Sequence, residues 1–286
     1  MRILLTGRTG QVGSALVPLL RPLGELLEFD RQGLDLLDVE RLGEAVSKAR
    51  PGVVVNAAAY TAVDRAERDA DIAFAVNARA VEELARAAKA VDALLVHFST
   101  DYVFDGEKRS PYVETDAPNP MNAYGRSKLA GERAILASGC RHLILRTSWV
   151  YGPTGRNFVH AILAAAKVKP ELRVVDDQRG APTSSAAIAA AVARLLADPA
   201  LPQKPGGLYH LSAGGETTWY GFATAILQAR GLTTPIVPIC SEDFPVAAKR
   251  PNNSLLDNSK LRRVFGLALP DWRHGLQEVS SKIETH

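Results

Sequence analysis

The sequence contains few of the residues that mark disulfide-rich, metal-binding or membrane proteins. Its 286 residues include only two cysteines, Cys140 and Cys240, and these share no metal-binding or redox spacing. This pattern indicates structural thiols in a reducing compartment. No apolar run reaches the length of about 18 residues that a membrane helix needs, and no signal peptide precedes the first predicted strand. We therefore expect a soluble cytoplasmic protein with no membrane partner.

Strong charge of one sign is also missing. The formal net charge is +3, and acidic and basic residues are interspersed along the chain. Because nucleic-acid binding leaves a basic patch or stripe, we expect no nucleic-acid partner. The chain is 47% hydrophobic, which is enough for one large core, or for one core with an added lobe.

The N-terminus combines an apolar run with a glycine-rich turn. Arg2 to Thr6 predict a strand, and Gly7, Gly10 and Gly13 follow with the spacing Gly-x-x-Gly-x-x-Gly before an amphipathic segment. A strand, a glycine turn and a helix together place a pyrophosphate at a helix N-terminus, where free amides and the helix dipole favour negative charge. The first gap is one residue longer than in the usual dinucleotide motif, and a plain tight turn is the alternative. The predicted cofactor-binding residues here are Gly7, Gly10, Gln11, Val12 and Gly13.

A second predicted strand, Glu25 to Phe29, ends in an acid beside a base. Asp30 is suited to accept hydrogen bonds from an adenosine ribose, whereas Arg31 is suited to a 2′-phosphate. Asp35 and Leu36 follow and are included in the predicted cofactor site. The choice between NADH and NADPH therefore stays open.

Further apolar strands alternate with helical segments along the first half of the chain. Gly52 to Asn56, Leu94 to Phe98 and His142 to Arg146 predict strands, and chemically suggestive residues follow each of them. This alternation predicts an α/β fold, a Rossmann-type doubly wound parallel sheet whose ligands bind outside the carboxyl ends of the strands. The residues that follow the first of these strands, and that complete the predicted cofactor site, are Ala57, Ala58, Ala59, Tyr60 and Thr61.

The composition of the sequence and the length of its predicted elements change after Gly152. Shorter strands and helices are separated there by segments rich in proline and glycine. We expect residues 1–152 to form an NAD(P)-binding Rossmann domain, to which some later segments return. Residues 153–286 are expected to form mainly a smaller α/β substrate-binding lobe that closes over the cleft.

Tyr124 and Lys128 form a Tyr-x-x-x-Lys motif. On a helix, residues four apart lie on one face, so both side chains can point into one cleft. A phenol titrates near pH 10, and a cation about 4 Å away can lower its pKa enough for proton transfer near neutral pH. A solvated helix face is the alternative for such a short motif.

In combination, these motifs resemble the extended short-chain dehydrogenase/reductase superfamily, and within it the dTDP-4-dehydrorhamnose reductases. The matches span nearly the whole chain in order. The runs that carry the resemblance are Gly10 to Gly13, Val55 to Asp64 with Glu67, Ser99 to Gly106, Tyr124-Gly125 with Lys128 to Glu132, Arg146 to Gly152, Asp177-Gln178 with Gly180 to Thr183, and Arg250-Pro251 with Asn253-Ser254.

The resemblance implies reduction of the C4 ketone of dTDP-4-dehydro-β-L-rhamnose by NADPH or NADH. In this chemistry Tyr124 donates the proton, Lys128 holds the cofactor ribose and lowers the phenol pKa, and Thr100 hydrogen-bonds the carbonyl oxygen. Ser99 is the rival hydroxyl, but strand alternation turns it to the opposite side. The residues expected to bind the substrate are Thr100, Asp101, Tyr102, Trp149, Asn157 and Arg250.

The sequence departs from the resemblance at one point. Some members are described as pairing through a magnesium ion held by acidic side chains, but Ala15 and Ala186-Ala187 stand where the acids would be needed. Alanine offers no side-chain oxygen to a hard cation. We therefore expect no metal, and either a monomer or a metal-independent homodimer.

Two other functions remain open at this point. The regulatory subunit of methionine adenosyltransferase resembles the same family and binds nucleotide without catalysis. A nucleotide-sugar epimerase or dehydratase can share the scaffold, although a dehydratase needs an acid beside Thr100 and usually a second one. Here Asp101 is followed by Tyr102, which argues against elimination chemistry, and the fold alone cannot separate these functions.

Overall fold

The computed structural model describes residues 1–283, so the last residues of the predicted lobe, 284–286, lie outside the description. The strands are β1 (Arg2–Thr6), β2 (Glu25–Phe29), β3 (Val53–Asn56), β4 (Leu94–Thr100), β5 (His142–Thr147), β6 (Val150–Tyr151), β7 (Leu172–Val175), β8 (Arg179–Gly180), β9 (Thr183–Ser184), β10 (Gly207–His210), β11 (Thr217–Thr218) and β12 (Ile236–Ile239). The helices are α1 (Gln11–Leu20), α2 (Val39–Ala49), α3 (Val63–Ala66), α4 (Ala70–Phe74), α5 (Ala80–Ala90), α6 (Ala123–Ser138), α7 (Phe158–Val168), α8 (Ser185–Ala197), α9 (Trp219–Ala229), α10 (Ser259–Phe265) and α11 (Trp272–Ser280).

Six strands form one parallel sheet in the order β10-β5-β4-β3-β1-β2. Its central strands are continuous apolar runs, which is typical of a parallel sheet covered by helices on both faces. The strand order reverses between β1 and β3, and this reversal opens a crevice at the carboxyl ends of the strands. The predicted doubly wound α/β fold is confirmed.

The two faces of the sheet have separate apolar cores. One core joins β1, β3, β4 and β5 to α1 and α8, and the other joins the same sheet to α2, α5 and Ile135 of α6. Residues of α8, β10 and α10 come from beyond position 152, yet they pack with the first of these cores. Later parts of the chain therefore contribute to the sheet layer.

A third apolar core lies apart from the sheet cores. It brings together buried residues of α7, α9 and α11, with Tyr151 and Trp272 among its large side chains. Short strand pairs border it, including the parallel pair β7 and β12 and the parallel pair β6 and β9. We assign the predicted substrate-binding lobe to this third core as a proposal.

The helical segment that runs from α4 to α5 contains a change of helix type. Ala75–Arg79 form a π-helical turn between α4 and α5. Such turns often mark functional sites, because the extra residue redirects a side chain. Asn77 lies within this turn and is 1% exposed.

A buried ion pair fastens α6 to the sheet. Arg146 on β5 donates to both carboxylate oxygens of Glu132, at 2.8 and 2.6 Å, and the two side chains are 3% and 2% exposed. Ser99 on β4 donates to the same carboxylate at 2.5 Å. This pairing explains why Ser99 faces away from Thr100, as strand alternation predicts.

We expect Arg146→Met to destabilise the fold by about 3–5 kcal/mol, because the Glu132 carboxylate would be left buried without its partner. Urea unfolding followed by circular dichroism measures this change. The matched control is Arg86→Met, which breaks a pair with Glu83 whose arginine side chain is 71% exposed. We expect the control to lose less than about 1 kcal/mol, and equal losses in the two variants would contradict the prediction.

Candidate active site

A cleft of about 900 Å³ opens at the carboxyl ends of the strands. It is lined by nearly all of the residues predicted for the cofactor and substrate sites. Those lining it are Gly7, Gly10, Gln11, Val12, Asp30, Arg31, Asp35, Leu36, Ala57, Ala58, Ala59, Tyr60, Thr61, Thr100, Asp101, Tyr102, Tyr124, Lys128, Trp149 and Asn157. Two predicted residues, Gly13 and Arg250, are not part of the lining.

The turn between β1 and α1 has the shape of a phosphate cradle. Gly7 has a φ of +76°, and a Cβ atom there would lie 2.7 Å from the backbone nitrogen of Ala58. A Cβ atom on Gly13 would lie 2.0 Å from the carbonyl oxygen of Gly7, so Gly13 acts behind the cradle by allowing α1 to approach. The bare backbone at the start of α1 therefore fits the pyrophosphate of a dinucleotide.

At the predicted adenosine end of the cleft, each arginine is paired with a carboxylate. Arg8 donates two hydrogen bonds to Asp30 at 3.1 and 2.9 Å, and Arg31 pairs with Asp35 at 3.2 Å. The backbone N–H of Gly33 and the guanidinium of Arg8 lower the pKa of Asp30. The carboxylate is thus ionised near neutral pH and can accept ribose hydroxyls, and Arg31 lines the cleft beside it.

Asn77 fixes the loop that follows β3, and sequence reasoning missed it. Its side chain accepts from the N–H of Tyr60 at 2.9 Å and donates to the carbonyl of Tyr60 at 3.0 Å. It also donates to Ser127 of α6 at 3.0 Å. Through the π-helical turn, one buried amide therefore ties the cofactor loop to the helix that carries Tyr124 and Lys128.

The predicted catalytic residues meet at the base of the cleft. Helix α6 begins after Asn122, whose side chain accepts from the N–H of Gly125 at 2.8 Å and so caps the first turn. Tyr124 and Lys128 are 9% and 2% exposed, and Thr100 at the end of β4 is 5% exposed. The solvated helix face considered for the Tyr-x-x-x-Lys motif is therefore not what the structure shows.

Burial has the largest effect on the ionisation of Tyr124. Burial raises the pKa of its phenol, a hydrogen bond with Thr100 lowers it, and the charge of Asp101 raises it further. Lys128 Nζ donates to the Phe98 carbonyl at 2.6 Å and lies 3.2 Å from His97 Nε2. The expected effect of Lys128 on the Tyr124 pKa stays a prediction.

Asp101 and Tyr102 line the cleft next to the reacting groups. Thr100 donates to Asp101 at 2.9 Å, and burial raises the pKa of Asp101 to about 6. Tyr102 lies edge-on to Tyr124 with 5.8 Å between ring centroids. Both side chains therefore line the same cleft as Tyr124.

Trp149 is stacked on a second tryptophan. Its ring lies 3.6 Å from that of Trp219, with an angle of 6° between the planes, and both rings line the cleft. Trp149 has a φ of +47°, a conformation that is uncommon outside glycine. Sequence reasoning missed Trp219 because no local pattern links it to Trp149. Its position at the start of α9, in a segment rich in aromatic residues, was the only signal.

Arg250 and Asn157 have protein partners in addition to their predicted ligands. Arg250 donates to both oxygens of Asp64, at 3.2 and 2.7 Å, and hydrogen-bonds Tyr102. Asn157 caps α7 and also donates to Gln11 at 3.2 Å, so it joins the lobe to the phosphate cradle. The structure therefore places Arg250 behind Tyr102, and places Asn157 on the cofactor side of the cleft.

Similar proteins identify the family of this chain. The family described as RmlD substrate binding domain matches residues 1–285. A dTDP-4-dehydrorhamnose reductase of Burkholderia thailandensis is 46% identical, over 96% of this chain and 97% of that protein. The chain belongs to the dTDP-4-dehydrorhamnose reductase family.

Solved structures of family members have the same fold. The dTDP-4-dehydrorhamnose reductase of Clostridium acetobutylicum superposes with a TM-score of 0.93 at 38% identity, covering 98% of this chain and 99% of that chain. That of Bacillus anthracis, solved in complex with NADP, gives 0.92 at 36% identity and covers 97% of this chain and 98% of that chain. The superfamily resemblance found in the motifs is confirmed over the full length.

Two further findings concern metals and membranes. Within residues 1–283, no group of three or more His, Cys, Asp or Glu side chains is placed to hold a metal ion. Ala15 on α1 and Ala186 on α8 have no side-chain oxygens, which is why we predict that the protein works without a metal. This stays a prediction. None of the helices in the described part is long and apolar enough to cross a membrane.

We expect Gly13→Ala to weaken NADPH binding at least about tenfold, because the added methyl would collide with the Gly7 carbonyl and displace the cradle. Isothermal titration calorimetry measures the affinity. The control is Gly33→Ala, where the nearest atom to the added Cβ is a side-chain carbon 3.4 Å away. Wild-type affinity in Gly13→Ala would show that the cradle does not hold the phosphates.

Proposed function

We propose that the protein reduces the C4 ketone of dTDP-4-dehydro-β-L-rhamnose to dTDP-β-L-rhamnose, with NADPH or NADH as cofactor. The observation that carries this proposal is the meeting of Thr100, Tyr124 and Lys128 at one end of a cleft whose other end is a phosphate cradle. Membership of the reductase family supports the substrate. The NADP complex of the Bacillus anthracis relative supports the cofactor.

The proton-donating group is Tyr124. Reduction needs a protonated acid, and burial keeps the phenol protonated by raising its pKa. When bound, the reduced nicotinamide supplies a hydride to C4, and the phenol proton then goes to the O4 oxygen. The products are an alcohol and the oxidised cofactor, so protons and electrons balance.

Thr100 and Lys128 assist this proton transfer. The Thr100 hydroxyl, which donates to Asp101 in this structure, donates instead to the carbonyl oxygen on which negative charge develops. Lys128 is placed one helical turn after Tyr124, where it orients the cofactor ribose and stabilises the phenolate. Trp149 and Tyr102 hold the sugar nucleotide against this group.

The other functions fit the site less well. A dehydratase needs a second acid near the ketone, but the residue after Asp101 is Tyr102, whose pKa is raised by burial. A purely regulatory subunit would not need a buried, protonated Tyr124 beside Thr100. The proposal includes a cytoplasmic location, which the free thiols of Cys140 and Cys240 support, and a monomer or metal-independent homodimer.

We expect Tyr124→Phe to lower turnover by about 100- to 10,000-fold, because general acid catalysis has this magnitude, while NADPH affinity stays unchanged. Oxidation of NADPH with the 4-keto dTDP-sugar, followed by the absorbance of the reduced nicotinamide, measures turnover. Tyr112→Phe is the control, since its hydroxyl bonds Asp105 outside the cleft. Near-normal turnover in Tyr124→Phe would contradict the assignment of Tyr124 as the proton donor.

We expect wild-type efficiency with NADH and NADPH to agree within about tenfold, because Asp30 repels a 2′-phosphate and the adjacent arginines attract it. Arg8→Ala should lower efficiency with NADPH about tenfold and leave efficiency with NADH unchanged. Steady-state kcat/KM values for both cofactors measure this. A hundredfold preference in the wild type would show that the opposing charges do not balance.

A further inference from the structure

A line of buried polar side chains crosses the centre of the sheet and ends at Lys128. Thr6 on β1, Asn56 on β3 and His97 on β4 stand at paired positions of adjacent strands and are no more than 1% exposed. Thr6 Oγ1 lies 2.7 Å from Asn56 Oδ1, and Asn56 Nδ2 lies 3.1 Å from His97 Nδ1. His97 Nε2 then lies 3.2 Å from Lys128 Nζ. Because Thr6 is buried, this line does not lead to solvent, and it is not a proton path.

The direction of the hydrogen bonds along this line is fixed at Asn56. The backbone N–H of Ala58 can only donate, and it lies 3.3 Å from Asn56 Oδ1. The Thr6 hydroxyl donates to the same oxygen. The amide nitrogen of Asn56 therefore faces His97 and donates to Nδ1, which leaves the proton of a neutral imidazole on Nε2.

The Nε2–H of His97 then points at the amine of Lys128. An ammonium group has three donors and no acceptor, whereas an uncharged amine has a lone pair that can accept. Lys128 Nζ also donates to the Phe98 carbonyl at 2.6 Å. When the amine is neutral, every polar group in the line has a hydrogen-bond partner. If Lys128 were charged, its ammonium and the Nε2–H of His97 would be two donors facing each other.

Burial acts in the same direction as the hydrogen bonds. It lowers the pKa of Lys128 to about 8, and it holds the pKa of His97 well below its ordinary value, so that the imidazole is neutral. Glu132 opposes this by raising the Lys128 pKa, but its carboxylate is bound by Arg146. Two titratable side chains act directly on Lys128, His97 from β4 and Glu132 from α6. Arg146 from β5 pairs with Glu132, and Asp101 and Tyr124 lie beside Thr100.

We propose that Asn56 and His97 are positioning residues that present a hydrogen-bond donor to Lys128, favour its uncharged amine, and so set the upper pH limit of the reductase. The direction of the hydrogen bonds is a property of the cofactor-free protein. Only the effect on catalysis rests on the proposed function. As pH rises, the ammonium that stabilises the developing phenolate of Tyr124 is lost, and turnover falls.

The tautomer of His97 tests the direction of the hydrogen bonds in the cofactor-free protein. Nitrogen-15 NMR of histidine-labelled wild type, with the resonance assigned through His97→Gln, should show a neutral ring protonated on Nε2 between about pH 6 and 9. Asn56→Asp has oxygens at both ends and accepts from the ring, so it should move the proton to Nδ1. A wild-type ring that is protonated on Nδ1, or on both nitrogens, overturns the proposal.

The pKa of Lys128 tests whether the hydrogen bond from His97 favours the uncharged amine. Carbon-13 NMR of labelled lysine, assigned through Lys128→Arg, should give a pKa that is at least about one unit higher in Asn56→Asp than in the wild type. Asn56→Leu adds no charge but frees the ring to accept from an ammonium, so it should raise the pKa in the same direction. A rise in the aspartate variant alone would assign the effect to the added charge and overturn the proposal. If the leucine variant does not fold, the wild-type tautomer still decides.

The pH profile of kcat/KM is the kinetic counterpart. Its alkaline limb should lie at least about one pH unit higher in Asn56→Asp than in the wild type, whereas a merely structural role would lower activity at all pH values alike. If the Lys128 pKa rises in Asn56→Asp but the alkaline limb of the profile stays at the same pH, Lys128 does not set the upper pH limit, and that part of the proposal is overturned. Absence of any reductase activity in the wild type would contradict the proposed function and leave the NMR result to decide the role of His97.

Discussion

The site depends on how closely α6 approaches the sheet and the π-helical turn. A Cβ atom on Gly125 would lie 2.1 Å from the carbonyl oxygen of Tyr102, and one on Gly131 would lie 2.1 Å from that of Asn77. Only glycine allows contacts as close as these. With two glycines at the interface, α6 lies near enough for Tyr124 to meet Thr100 and for Lys128 to reach the backbone of β4.

The two ends of the cleft place their charges in different environments. At the adenosine end, Arg8 and Asp30 form a pair in which the arginine side chain is 44% exposed, so water screens the charges. Behind the reaction end, on the side of β4 that faces away from Thr100, Arg146 and Glu132 are almost fully buried, and their mutual attraction is hardly screened. The buried pair holds α6 against the sheet, whereas water weakens the attraction within the exposed pair.

Local sequence patterns predicted the sheet, the cradle and the catalytic helix, because each depends on residues that are close in the chain. The Gly-x-x-Gly-x-x-Gly spacing and the four-residue spacing of Tyr124 and Lys128 are of this kind. The partners of Arg250 and Trp149 could not be predicted in this way. Asp64 is 186 positions from Arg250, and the stacking of Trp219 on Trp149 depends on how the lobe packs. The raised pKa of Tyr124 likewise follows from burial, which only the folded chain provides.

The stacked indoles give the protein a built-in optical reporter. The chain has three tryptophans, and two of them, Trp149 and Trp219, stand in the cleft wall beside the reaction centre. The third, Trp272, is buried in the core of the lobe. Separation of the two stacked rings by an entering sugar nucleotide would change their emission, and a reduced nicotinamide nearby would accept their excitation energy. Intrinsic fluorescence of the unmodified protein would then follow the filling of the cleft in real time.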